Sequence, residues 1–117
     1  MLALVRRLVP WDIGGKTEGT FEMPTEIFSL RGRTALVTGA GRGLGFEIAK
    51  GLAGQGAAVW LNGRDAVGLA AAAAAIAATG EMAAALPFDI ADEDAVAHAF
   101  GMIAQGSGHL DILINNV

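Results

Sequence analysis

An open α/β fold, with a parallel sheet covered by helices on both faces, is the architecture this sequence predicts. Three observations predict it. Short apolar runs alternate with longer helix-like segments from Thr34 to Asn115. Runs such as Ile112-Leu113-Ile114 are continuously apolar, as expected of strands buried on both sides. The first run leads straight into a glycine-rich turn, Thr38 to Gly45, and then into an apolar-periodic segment.

The elements follow in chain order. Residues 1–22 hold Pro10, Gly14, Gly15 and Gly19 and no stable period. They predict a disordered or spurious extension, with Met23 as the natural start; a targeting arm is the alternative. Residues 23–117 then form one partial domain. Its first strand spans Thr34 to Thr38. The first helix runs from about Gly43 to Gln55, with Leu44, Ile48 and Leu52 on one face, and Gly56 ends it. Strand two is Ala58 to Leu61. Helix two runs from about Asp65, its N-cap, to Thr79, and Gly80 closes it. The alanine run Ala70 to Ala75 is strong helix former and carries no site. Strand three is about Ala83 to Phe88. Helix three starts at the N-cap Asp92, with Glu93 and Asp94 at its positive end and Val96, Phe100 and Ile103 facing the core. Strand four is Ile112 to Asn115. Right-handed crossovers then place helices on both faces of a parallel sheet.

The turn carries the chemistry. Glycines let a backbone approach a pyrophosphate without a Cβ in the way. The helix that follows presents open N–H groups and a partial positive charge to an anion. A G-x-G-x-x-G fingerprint would need glycine at 44 or 46, where Leu44 and Phe46 stand. A P-loop would need a lysine closing the turn, and no lysine lies between Lys16 and Lys50. What stands is T-G-x-x-x-G-x-G. The alternative is a tight strand-to-helix turn with no ligand.

With that turn come Asn62-Gly63-Arg64 after strand two, Asp89-Ile90 after strand three, and Leu110 to Asn116 at strand four. In this order the four motifs resemble the short-chain dehydrogenase/reductase family over roughly Phe28 to Val117. The resemblance implies a Rossmann-type doubly wound sheet of order 3-2-1-4, truncated after the fourth strand, in a partial NAD(P)-binding domain. It implies a cofactor crevice beyond the carboxyl ends of strands one and four. Gly39, Gly43, Leu44 and Gly45 would line the pyrophosphate. The position for a ribose-gripping carboxylate is Gly63, beside Asn62. Arg64 follows, and Arg42 in the turn can point to the same place, which favours NADP over NAD. Both arginines being merely solvated is the alternative. Asp65 is a possible carboxylate better explained as N-cap. Asp89 and Ile90 match the adenine position, the alternative for Asp89 being a loop aspartate bonding its own backbone. Asn115 and Asn116 match the start of N-N-A-G, with Val117 in place of its alanine. Leu61 to Arg64 looks most like the branch holding gluconate 5-dehydrogenases and 3-oxoacyl reductases.

The family's serine and Y-x-x-x-K pair, which do the proton work, find no counterpart. The 117 residues include no tyrosine; the serines are Ser29 and Ser107, and the lysines are Lys16 and Lys50. No catalytic residue is therefore assigned. Three readings remain: a fragment of a reductase, a standalone nucleotide-binding module, or an interaction protein self-associating through the open edge of strand four. The net charge of −4 argues against a nucleic-acid partner. No apolar run reaches the roughly 18 residues of a membrane span. Zero cysteines exclude thiolate metal sites and fit a cytoplasmic protein. His98 and His109 read as isolated surface histidines, and no metal site is expected.

Overall fold

In the computed structural model, residues 29–116 are described. The expectations for residues 1–22, for Met23 and for Val117 lie outside them. Strands β1 (Thr34–Val37), β2 (Ala58–Leu61), β3 (Ala83–Ala85) and β4 (Ile112–Ile114) alternate with helices α1 (Gly43–Gly54), α2 (Ala66–Ala77) and α3 (Glu93–Ser107). All strand pairs are parallel and the order is β3-β2-β1-β4. The expected architecture and strand order are therefore observed.

Side-chain alternation along the strands divides the core. Ala35, Val37, Val59 and Leu61 point to one face, where Ala49 and Ala53 of α1 and Leu69 and Ile76 of α2 cover them. Leu36 points to the other face and packs with Leu86, Ala99 and Ile103, flanked by Trp60 and Phe88. That second layer belongs to α3. Two helices on one face and one on the other follow from right-handed crossovers that leave β1 in opposite directions.

Element ends have local causes. Asp92 caps α3, its Oδ1 accepting from the Asp94 and Ala95 amides at 3.0 and 3.2 Å. Gly108, at φ 82°, closes that helix. Strand β3 is shorter than expected, its regular pairing ending at Ala85. Leu86 and Phe88 nevertheless donate to the Leu61 and Gly63 carbonyls at 2.8 and 3.2 Å.

Two helix faces differ from expectation. On α1 the buried residues are Gly45, Ala49 and Ala53, while Leu44 is 68% exposed. Both stripes have the same spacing, and the small-residue stripe lets the helix approach the sheet closely. Ile48 and Leu52 are half-buried beside it. On α3, Ala99 and Ile103 are buried, Val96 is half-buried and Phe100 is exposed. The short side chain at 99, not the ring at 100, fits against Leu36 and Leu86.

His109 is not isolated. Its Nε2 lies 2.9 Å from the Gly32 carbonyl oxygen and 3.0 Å from Asp111 Oδ2. Asp111 Oδ2 also accepts from the Thr34 amide at 2.8 Å, and Asp111 N donates to the Thr34 carbonyl at 2.9 Å. This clasp ties the start of β4 to the start of β1.

Candidate functional site

At the carboxyl ends of β1 and β2 the surface opens into a cleft of about 370 Å³. Gly39, Gly41, Arg42, Gly63, Arg64 and Asp65 line it, with Gly68 and Leu69 forming its side toward α2. The cleft therefore brings together the glycine turn and both arginines singled out in the sequence.

The turn is shaped by close approach. Gly39 has φ 60°, and a Cβ there would overlap the Asn116 carbonyl oxygen. Gly45 is buried, and a Cβ there would overlap the Gly39 carbonyl oxygen and lie 2.7 Å from Asn116 Nδ2. Gly45 thus packs the first turn of α1 onto the end of β1 and offers no surface to a ligand, unlike the exposed Gly43 and Leu44. Arg42 occupies the N-cap position of α1 with an extended backbone and no side-chain cap bond. No acidic residue stands in that helix's first turn. The positive end of α1 therefore has no competing anion from its own first turn.

Beside the turn, the ends of β1 and β4 are stitched together. Thr38 Oγ1 lies 3.0 Å from the Asn116 carbonyl oxygen and accepts from Asn116 N at 2.9 Å. Asn115 Oδ1 is 3.3 Å from the same hydroxyl. Asn116 Nδ2 donates to the Gly39 carbonyl at 3.2 Å. These bonds join the carboxyl ends of β1 and β4, where the crevice is expected, and the cleft opens beside them. Thr38, absent from the expected site residues, is the centre of this network. Its signal is a hydroxyl at the buried end of a strand, directly before the glycine turn.

Three other expected residues take the following positions. Asn62 is 2% exposed, and its Nδ2 donates to the Leu86 and Phe88 carbonyls at 3.3 and 2.9 Å. Its amide group braces β2 against β3 instead of facing the cleft. Asp65 stands at the N-cap of α2 without a side-chain cap bond. Asp89 Oδ1 accepts from Ala91 N at 2.9 Å, the backbone-bonding role of a loop aspartate, and lies 4.0 Å from Arg64 Nε. Ile90, next to it, is 43% exposed.

Among the described residues, the serines and the lysine are engaged away from the cleft. Lys50 pairs with Glu47 at 3.3 Å on α1. Ser107 Oγ accepts from Trp60 Nε1 at 3.0 Å, and Ser29 Oγ accepts from the Arg31 amide at 3.2 Å. Among the described residues, no group of three or more His, Asp or Glu could hold a metal ion, and no helix is long and apolar enough to cross a membrane.

Sheet order, helix placement and the glycine turn define a Rossmann-type α/β protein. Residues 33–117 match the family described as short chain dehydrogenase, and the chain belongs to that family. It is 50% identical over 91 residues to gluconate 5-dehydrogenase of Gluconobacter oxydans, covering 78% of this chain and 36% of that protein. It is 43% identical over 89 residues to the rhamnolipids biosynthesis 3-oxoacyl-[acyl-carrier-protein] reductase of Pseudomonas aeruginosa, covering 76% and 34%. A metagenomic short-chain oxidoreductase, solved in complex with NADP, superposes with a TM-score of 0.71 at 38% identity, covering 74% of this chain and 39% of that one. The chain spans about a third of the length of the curated relatives it matches.

Proposed function

We propose that this chain is the NADP(H)-binding part of a cytoplasmic carbonyl or alcohol oxidoreductase, with residues 23–117 as a partial nucleotide-binding domain and residues 1–22 as a dispensable extension. The observation that carries the reading is the cleft, where Arg42 and Arg64 stand beside a β2 end that carries Gly63 in place of a carboxylate. Two guanidinium groups on one concave surface suit a 2′-phosphate.

The residues fit such a group. Gly39 and Gly41 keep side chains off the cleft floor, and the uncapped start of α1 offers Gly43 and Leu44 amides to a pyrophosphate. Asp89 and Ile90 border the adenine end, and Asn115 with Thr38 holds the strand ends that seat the turn. A bound nicotinamide supplies the hydride donor or acceptor; the chain's own residues bind and orient. Asp89 reaches Arg64 only at 4.0 Å, and Arg64 is 81% exposed, so this ion pair is solvent-screened and leaves the guanidinium open to a stronger anion.

The variant Arg42→Ala/Arg64→Ala is expected to lose about tenfold or more of the preference for NADPH over NADH. Calorimetry with both nucleotides measures it, and an unchanged affinity ratio would refute the assignment of the two arginines.

The reading includes self-association. Leu113, on the α3 side of the sheet, is 55% exposed, and β4 is an edge strand among the described residues. Sedimentation is expected to show mass rising with concentration, and Leu113→Lys to suppress the rise. A concentration-independent monomer would count against it.

A further inference from the structure

Asn62 and Gly63 form the single Asn-Gly pair of the chain. Asn62 is fastened on two sides. Its backbone N donates to the Val37 carbonyl at 2.9 Å, and its carbonyl accepts from Ala40 N at 2.8 Å. Its Nδ2 donates to the Leu86 and Phe88 carbonyls at 3.3 and 2.9 Å, and the residue is 2% exposed. Gly63 is held less fully. Its carbonyl accepts from Phe88 N at 3.2 Å, while its own amide donates to no backbone carbonyl among the described residues. An amide nitrogen free of a carbonyl partner, with no Cβ beside it, thus follows directly on an asparagine side chain. The two acceptors that pin that side chain come just after β3, an edge strand of three residues. Such an element opens at lower cost than the core of a domain.

We propose that Asn62-Gly63 is a covalent modification site, a deamidation site kept dormant by the clamp from β3 and released when that edge opens. In the reaction the Gly63 amide gives its proton to hydroxide, and its nitrogen bonds to Asn62 Cγ. The Cγ–Nδ2 bond breaks and Nδ2 leaves as ammonia. Water then opens the resulting succinimide, leaving aspartate or isoaspartate at position 62. The folded chain opposes the first step twice. Both carbonyl bonds to Nδ2 hold the side chain away from the turn that the attack needs, and burial keeps hydroxide and water from the reacting atoms. The product cannot rebuild the clamp. An ionised carboxylate only accepts hydrogen bonds, and it would face two carbonyl oxygens where Nδ2 had supplied the donors. Isoaspartate also inserts a methylene into the main chain directly before Gly63 and Arg64, which line the cleft. Opening of β3 followed by this reaction is therefore a one-way exit from the folded state.

The test is ageing of the full chain in mildly alkaline buffer, with and without unfolding guanidinium, followed by peptide mapping for aspartate and isoaspartate. Asn115 and Asn116, which no glycine follows, are internal references. In guanidinium, position 62 is expected to be modified faster than either reference. Without denaturant its modification should be slower by about tenfold or more, because only the open state reacts. Gly63→Ala, whose Cβ would meet the flexible end of Leu69, should bring the denatured rate at position 62 down to that of the references. Asn62→Asp, a stand-in for the product, should lower the urea midpoint of the chain. Equal rates at position 62 with and without denaturant overturn the clamp. A denatured rate no faster than the references, or unaffected by Gly63→Ala, overturns the modification site. An unchanged midpoint in Asn62→Asp overturns the one-way exit.

Discussion

Replacing Gly45 by alanine is expected to destabilise the fold by about 2–3 kcal/mol, although alanine is the better helix former. Helix propensity alone predicts a gain of up to about 1 kcal/mol. The contact reverses the sign. The added methyl would overlap the Gly39 carbonyl oxygen and crowd Asn116 Nδ2. The nearest atom, the Gly39 carbonyl oxygen, is backbone and not the far end of a flexible side chain. The Gly39 carbonyl is held by the turn, and Asn116 is tied to Thr38 by its own backbone. Relief requires α1 to tilt away from the sheet, which opens the packing of Ala49 and Ala53 on β1 and β2. Urea titration checks this: the midpoint should fall while the slope is unchanged. Gly51→Ala, in the same helix with nothing within 4 Å of the added Cβ, is the control and should be neutral or stabilising. Equal behaviour of the two variants would refute the close-approach argument.

The second large effect is an absence of turnover. The 117-residue polypeptide is expected to oxidise no NADPH above background with ketones or 3-oxoacyl thioesters. Positioned acid–base catalysis typically contributes about 10²–10⁴ in rate. No tyrosine is present, and Ser29, Ser107 and Lys50 are engaged away from the cleft. Nucleotide binding and chemistry should therefore separate in this chain, with a binding isotherm but no rate. Turnover that survives rigorous purification, measured against a heat-killed control, would overturn the expectation.

Local signals were legible in the sequence, and contacts between distant segments were not. The strand-turn-helix of Thr34 to Gly54, the Asp92 cap and the helix stop at Gly56 depend on neighbours along the chain. Strand order followed from family motifs, whose spacing encodes crossovers. By contrast, Leu44 and Ala49 sit on stripes of equal periodicity. Only the depth to which α1 sinks onto the sheet decides between them. Asn62 looked like a cleft residue because it adjoins Gly63 and Arg64. Its burial depends on the Leu86 and Phe88 carbonyls, 24 and 26 positions away. Asp65 fits the sequence pattern of an N-cap. Its side chain nevertheless makes no cap bond. The His109–Asp111 clasp was missed because its partners, Gly32 and Thr34, are 77 positions upstream of them.

The double fastening of β4 onto β1 has a consequence for the order of assembly. One edge of β1 can pair with β2 once residue 61 has been made, giving a register from Thr34↔Ala58 to Val37↔Leu61. Its other edge waits for β4, whose register runs from Ala35↔Ile112 to Val37↔Ile114. At about 5–20 residues per second, synthesis of the intervening chain takes roughly 4–15 s. Throughout that interval β1, the root of the glycine turn, presents one unpaired edge. When β4 arrives it is caught at both ends, by His109 and Asp111 at one and by Thr38 and Asn116 at the other. Four backbone and side-chain bonds closing across 77 or 78 positions make this a late step that sets register. The glycine turn acquires its final shape only then, because Asn116 is what holds the Gly39 carbonyl. A nascent chain paused short of Asn116 would carry every glycine of the loop and still lack the cradle.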